Sequence, residues 1–322
     1  MSGGISVFRL AVVLPSVFSI KRLILHQKLS RRTFIAAGTT LTAGLLVGGA
    51  AATAKANSGD PLAERFGEIE ARLAGRLGAF ILDTQSGRHW RHRADERFSM
   101  CSTFKAFATA AVLARVDAGK ETLDRRIVFR KGDLVPYSPV TEKHIDKGMS
   151  LFELCDAAMV MSDNTAANML LTSLGGPQGV TEFMRSIGDD ATRLDRMETE
   201  LNEALPGDPR DTTTPTAAVN SLQKLVFGGA LSSNSRQQLE DWLIANKVSG
   251  PLLRKALPVN WRVGDRSGAG GHGTRTIMAV IWPPRRKPVI AAIYLTETDA
   301  TMDERNAAIA EIGDALVKAV PV

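Results

Sequence analysis

The chain has 322 residues, 44% hydrophobic and 23% charged, a profile that excludes a disordered or fibrous protein and fits one large globular domain or two intimate ones. Its formal net charge of +6 is concentrated at the start: residues 1–56 hold seven basic side chains and no acid, leaving 33 basic against 34 acidic side chains over residues 57–322. A net of −1 on that remainder removes the electrostatic basis for a nucleic-acid partner.

In chain order, Ser30-Arg31-Arg32-Thr33-Phe34 precedes a weakly apolar run rich in Gly, Ala and Thr, Ile35 to Ala54, which reads as a twin-arginine export signal. The run is nearly long enough to span a bilayer, so a membrane anchor competes with cleavage. Ala54-Lys55-Ala56 favours cleavage, because small residues at alternate positions suit a signal peptidase. Residues 1–56 are therefore assigned as a signal peptide, with a periplasmic or secreted destination and no stable membrane association afterwards. The apolar stretch Ile5 to Ile20, broken by Arg9 and Pro15, is either a long n-region or the mark of an early start site. Cys101 and Cys155 are the only cysteines. A protein folded before export, in a reducing compartment, is expected to keep both as free thiols.

Pro61 to Arg76 reads as an amphipathic helix, followed by a strand from Leu77, a turn at Asp83-Thr84-Gln85-Ser86-Gly87 and a strand from Arg88 to Arg93. The middle is helical: Ser102 to Val116, a helix opened by the capping box Ser150-Leu151-Phe152-Glu153, then Asn164 to Leu174, Pro177 to Ile187 and Pro215 to Phe227. Strand signals return at Trp261 to Asp265, Thr274 to Trp282 and Pro288 to Leu295, the last apolar enough to be covered on both faces. A final helix, Met302 to Val320, is capped by Thr301 and Glu304 and carries Ile309, Ile312, Leu316 and Val320 at helical spacing. Strands at both chain ends predict an α/β domain from residues 57–92 and 245–322. An all-α domain, 93–244, is inserted in it, with a cleft where the two meet.

Four elements carry chemistry. Ser102-Thr103-Phe104-Lys105 puts a hydroxyl and an amine on one helix face, near the N-terminus where the dipole favours negative charge. Alone it means little, since composition yields about one Ser-x-x-Lys in any chain this long. Ser162-Asp163-Asn164 is expected in only about one such chain in thirty and also reads as a helix cap, offering a hydroxyl for proton relay and an amide for substrate. Asp265-Arg266-Ser267-Gly268-Ala269-Gly270-Gly271 is either a Gly-rich hairpin or a strand edge whose free backbone groups pair with an extended ligand. The fourth element, Arg196-Met197-Glu198-Thr199-Glu200-Leu201-Asn202, lies in a loop over residues 193–211. Arg196 and Asp211 could pin its ends, and Glu198 with Asn202 could hold a water.

The order and spacing of these elements resemble the class A serine β-lactamases over essentially all of the chain after the leader. The resemblance implies an α+β fold of the β-lactamase/transpeptidase type, an antiparallel sheet flanked by helices, in a monomeric enzyme without cofactor or metal. It further implies that Ser102 attacks the lactam carbonyl, with the backbone N–H groups of Ser102 and Ala269 as oxyanion donors. Lys105, or Glu198 through water, would be the acylation base; Ser162 would protonate the leaving nitrogen. Glu198, helped by Asn202, would then activate the water that breaks the ester. Asn164 would bind the side-chain amide of the antibiotic, Tyr137 would wall the cleft, and Ser267 and Arg275 would hold the ligand carboxylate, alongside Arg266, Gly268 and Ala269 of the strand motif.

Departures from the family pattern matter. Arg266 and Ser267 stand where lysine and threonine are usual, giving the Arg-Ser-Gly of carbenicillin-hydrolysing members and pointing to carboxylate-bearing penicillins through a wider guanidinium fork. Thr199 replaces the proline that follows the general base in many members. Cys101 resembles a cysteine of carbapenem-hydrolysing relatives, but its partner position is Gly270; Cys155 matches half of another disulfide whose second half is Thr109 here. No bridge is implied. The histidines, His26, His89, His92, His144 and His272, form no metal-ligand run. No Gly-x-Ser-x-Gly elbow surrounds Ser102. Two rivals share parts of this pattern: a penicillin-binding D,D-peptidase acting on peptidoglycan, which lacks a base equivalent to Glu198, and a sensing domain without turnover, which the leader disfavours.

Overall fold

The computed structural model describes residues 59–321, so the leader reading lies outside the described residues. Helix α1 (Pro61–Arg72) starts where Asp60 accepts from the Leu62 backbone N–H at 3.0 Å and Pro61 occupies the first turn. It stops four residues earlier than the apolar spacing predicts. Ala74 takes a left-handed conformation (φ 43°) and the chain turns directly into strand β1 (Arg76–Asp83). Strand β2 (His89–His92) returns as a hairpin, and a short strand β3 (Phe98–Ser99) leads to a 3₁₀ turn at Cys101–Thr103 and helix α2 (Phe104–Asp117). Every residue of α2 from Phe104 to Leu113 is buried, so this helix is a central pillar with no solvent face along that stretch.

Two-residue strands β4 (Arg126–Ile127) and β5 (Met149–Ser150) pair ahead of helix α3 (Leu151–Val160), whose capping box is formed by Ser150 and Glu153. Helices α4 (Asn164–Ser173) and α5 (Pro177–Ser186) follow, then strand β6 (Thr212–Thr213), which pairs with β3, and helix α6 (Pro215–Val226). Helix α7 (Ser233–Ile244) was not anticipated, although Ser232 caps it and Ser235, Leu239, Trp242 and Leu243 form its buried face. A single turn, α8 (Leu253–Ala256), precedes strands β7 (Arg262–Ala269), β8 (Arg275–Trp282) and β9 (Val289–Thr296), and helix α9 (Met302–Ala319) closes the chain.

The main sheet runs β2-β1-β9-β8-β7 with every pairing antiparallel, so β7 is an edge. Alternation sorts its side chains: Leu77, Ala79, Ile81, Ile277, Ala279, Ala291, Ile293 and Leu295 face α1, α8 and α9. Phe80, Met278, Val280, Ile290, Ala292 and Tyr294 face the core shared with α2, α6 and α7. All eight residues of β9 are buried, as its apolar run requires of a strand with helices on both sides.

Asp163 ties the helical layer to the loop above the cleft. Fully buried, it caps α4 through the Ala166 N–H at 2.8 Å and accepts from the backbone N–H groups of Val140 and Thr141, each at 2.9 Å, and from the Thr141 hydroxyl at 2.9 Å. An ordinary N-cap contributes about 1 kcal/mol. Here four donors lose their acceptor together, so Asp163→Ala is expected to lower the urea-unfolding free energy by more than about 3 kcal/mol; a loss of about 1 kcal/mol would reduce the residue to a simple cap.

Candidate active site

Ser102 lies in the 3₁₀ turn that opens α2, wedged against the edge strand β7. The approach is so close that a Cβ on Gly268 would stand 2.7 Å from the Ser102 backbone nitrogen, and one on Gly270 would stand 2.6 Å from the Asn202 carbonyl oxygen and 2.7 Å from Cys101 Sγ. Glycine is required at both positions because no side chain fits between strand, turn and the loop that carries Glu198. Cys101 and Cys155 are both free and buried, and burial raises both thiols above their usual range, Cys101 to about 12.

Lys105, one helical turn beyond Ser102, is completely buried. Its Nζ lies 3.0 Å from Ser102 Oγ, 3.0 Å from Glu198 Oε1, 2.9 Å from the Ser162 carbonyl oxygen, 3.3 Å from Ser162 Oγ and 2.6 Å from Asn164 Oδ1. The Asn164 amide is oriented by its Nδ2, which donates to the Pro136 carbonyl at 2.8 Å. Two of these neighbours, the Ser162 carbonyl and Asn164 Oδ1, can only accept, so they fix two ammonium protons. The third position faces Glu198 and the two serine hydroxyls. Burial pushes the Lys105 pKa down to about 8, with the Glu198 carboxylate opposing and the Arg266 cation adding to the fall.

Glu198 is buried beside them, with Ser102 Oγ donating to Oε1 at 3.3 Å and Asn202 Nδ2 donating to Oε2. Its backbone is bracketed by Asn168, whose Oδ1 accepts from the Glu198 N–H and whose Nδ2 donates to the Glu198 carbonyl, both at 2.8 Å. The Glu198-Thr199 peptide is cis. At the loop ends, Asp211 accepts from Arg196 Nε at 2.6 Å and from the N–H groups of Asp195 and Arg196 at 2.8 and 2.9 Å, while Arg196 Nη1 reaches Glu203 at 2.6 Å.

The cleft has a volume of about 240 Å³ and is lined by Ser102, Tyr137, Ser162, Asn164, Asn202, Val248, Ser267, Gly268, Ala269 and Arg275. A larger hollow of about 590 Å³, bordered by Asp189, Thr214, Lys224 and Phe227, brings together no comparable nucleophile and base. Tyr137 stands exposed at the mouth, and Arg275 donates to Asn306 Oδ1 at 2.8 Å and the Gly268 carbonyl at 3.1 Å. Arg266 departs from the expectation that it contacts ligand. Its guanidinium is wholly buried, Nη2 donates to Ser162 Oγ, Nη1 lies 3.4 Å from Asn246 Oδ1 and Nε has no partner among the described residues. Arg266 therefore sits behind Ser162 rather than on the cleft surface. Asn168 and Val248 escaped the sequence reading; Asn168 was detectable as the residue one turn beyond Asn164 on the same face of α4.

A serine flanked by a buried amine and a loop carboxylate, on this sheet-and-helix frame, marks a serine hydrolase. Residues 61–320 match the model of the β-lactamase enzyme family, and the chain belongs to that family. The solved structures to which it is similar place it in class A. An ancestral class A β-lactamase is 60% identical, with a TM-score of 0.79 over 80% of this chain and 100% of that one. The class A enzyme of the last common ancestor of Gram-negative bacteria is likewise 60% identical, with a TM-score of 0.79 over 80% and 98% of the two chains. A chain described as a class A β-lactamase, from Rhodopseudomonas palustris, is 54% identical, with a TM-score of 0.80 over 81% and 100%.

The buried amine has a consequence for stability. The folded state releases the Lys105 proton at about 8 whereas an exposed lysine keeps it to 10.5, so between these values the folded state binds fewer protons and the stability attributable to Lys105 rises with pH. Below pH 8 both states are protonated and the contribution is flat. Urea-unfolding curves of the wild type and Lys105→Met, taken from about pH 7 to about pH 10, are expected to shift in favour of the wild type above about pH 8; a pH-independent difference would place the Lys105 pKa elsewhere.

Proposed function

We propose that the protein opens the β-lactam amide of penicillins, carboxypenicillins among them, and of some cephalosporins, through an ester on Ser102 that a Glu198-activated water hydrolyses. The observation that carries this reading is the placement of Ser102 Oγ 3.0 Å from Lys105 Nζ and 3.3 Å from Glu198 Oε1. Either neighbour is within reach of the serine proton. A proton passed across the 3.0 Å gap from Lys105 to Glu198 frees the amine's lone pair toward Ser102, so the two bases are coupled rather than independent.

The remaining steps follow from donors and acceptors. Ser162 Oγ accepts from Arg266 and Lys105, which leaves its own proton for the lactam nitrogen as the ring opens. The backbone N–H groups of Ser102 and Ala269 serve the oxyanion, supported by the position of Ala269 on an edge strand that borders the cleft. Glu198 then takes a proton from water with Asn202 beside it. Asn164 receives the side-chain amide, Tyr137 forms the wall, and Ser267 and Arg275 meet the ring carboxylate. Glu198 so close to the nucleophile disfavours the peptidase alternative. The Arg196–Asp211 pair holds the loop that carries Glu198. Export by the twin-arginine route as a periplasmic or secreted monomer completes the proposal.

Burial changes the argument for carboxypenicillins. Arg266 acts through its field behind Ser162, not through a fork presented to ligand, and that field favours a second negative charge in the cleft. Arg266→Met, which removes the charge, is expected to lower the ratio of carbenicillin to benzylpenicillin kcat/KM by about threefold or more, whereas Arg266→Lys, which keeps it, is expected to change the ratio far less; an unchanged ratio in Arg266→Met would remove Arg266 from substrate choice.

For the mechanism, Glu198→Ala is expected to accumulate a penicilloyl ester, visible as an added penicillin mass on intact protein, with deacylation slowed by about 10²-fold or more. Ser102→Ala is expected to form no adduct. Turnover at the wild-type rate by the Glu198 variant would remove this carboxylate from ester hydrolysis.

A further inference from the structure

We propose that Ser249, a buried residue outside the cleft, is a positioning residue that fixes the Ser267 hydroxyl as a hydrogen-bond donor toward the carboxylate of the bound lactam. The proposal rests on the reading of Ser267 as a carboxylate contact and extends it to a residue that never touches the ligand.

One chain of hydrogen bonds runs from Asn246 through Ser249 to Ser267. Asn246, in the segment between α7 and α8, has its amide orientation fixed from both sides. Its Oδ1 accepts from the Val248 N–H at 3.1 Å and faces Arg266 Nη1 at 3.4 Å, and both of these partners are obligate donors. Its two Nδ2 protons are shared among three acceptors, the Asp265 carbonyl at 3.0 Å, Asp265 Oδ1 at 2.6 Å and Ser249 Oγ. The same Nδ2 stands 2.6 Å from Ser249 Oγ. An amide nitrogen cannot accept, so Ser249 Oγ is the acceptor there. The Ser249 proton is thereby left for another partner.

That partner is Ser267 Oγ, to which Ser249 Oγ donates at 2.9 Å. The Asp265 carboxylate, engaged by Asn246 and by Arg254 Nε at 2.7 Å, also lies near Ser249 and competes for its proton, but the hydrogen bond within normal distance that Ser249 Oγ donates is the one to Ser267. Ser267 Oγ accepts on its inner side, and its own proton is free on the cleft side, where Ser267 forms part of the lining. Both serines are almost completely buried, so water does not scramble the arrangement.

A free serine hydroxyl can present either a lone pair or a proton to an anion. One held in the donor state has no reorientation to make when the carboxylate arrives. Each acceptor in the chain also polarises the next donor, which strengthens the bond finally made to a charged group.

The test compares kcat/KM for benzylpenicillin with that for its methyl ester, whose blocked carboxylate removes the charge. The ratio of the two does not depend on how much enzyme is folded. Ser249→Ala is expected to lower this ratio by about fivefold to tenfold, the scale of one ordinary hydrogen bond. Ser249→Thr, which keeps the hydroxyl, is expected to restore it. In a Ser267→Ala background, Ser249→Ala is expected to add no further change, because the two act as one unit. An unchanged ratio in Ser249→Ala, failure of Ser249→Thr to restore it, or an additive loss in the double variant would overturn the relay. If Ser267→Ala itself leaves the ratio unchanged, the carboxylate contact fails and the relay falls with it; if Ser267→Ala lowers the ratio and Ser249→Ala does not, the relay alone is wrong.

Discussion

The buried amine of Lys105 is the constraint around which the site is assembled. An ammonium group removed from water is costly unless protein atoms replace its hydration, and the penalty amounts to several kcal/mol for an uncompensated ion. The replacement comes from Ser102 on the turn before α2, from Ser162 and Asn164 at the start of α4, and from Glu198 on the catalytic loop. These groups belong to three separate segments, so solvating one lysine forces them to converge. Convergence of these groups and charge compensation are here the same set of contacts.

A second constraint is thickness. The Ser102 turn, the edge strand and the Glu198 loop meet at Gly268 and Gly270, where even one added carbon would collide with backbone. The flexibility of glycine matters less at these two positions than its lack of bulk. Close contact between strand and loop also places the loop carboxylate over the serine without any long side chain having to bridge the gap.

Much of this was legible in the sequence, because each motif combines a local rule with a chemical one. The Ser150 and Thr301 capping boxes, the Asp163 cap and the unbroken apolar run of β9 obey short-range rules and stand where those rules put them. Helix α7 was missed because its polar residues dilute the period, although Leu239, Trp242 and Leu243 carry it. The end of α1 was misplaced because apolar spacing runs on through the turn at Ala74. Arg266 was the instructive case: its identity suggests a ligand contact, but side-chain depth depends on Ser162 and Asn246, which are 104 and 20 residues away in sequence. Spacing along a chain carries no information about depth of that kind. The hydrogen-bond direction at Ser249 was equally invisible, since it depends on which end of the Asn246 amide faces which neighbour.

The sheet order has a consequence for biosynthesis. Strand β1 lies between β2 and β9, and its ladder to β9 joins Arg76 to Thr296. Of its two flanking partners, β2 is made immediately and β9 only after every other strand of the sheet. A nascent chain without β9 cannot complete the sheet, and long-range pairing of this sort is slow to form. The Ser102 turn leans on β7, which reaches its place in the sheet only through β8 and β9. Assembly of the site therefore waits for β8 and β9, and products truncated before them lack the strands that hold β7 in the sheet.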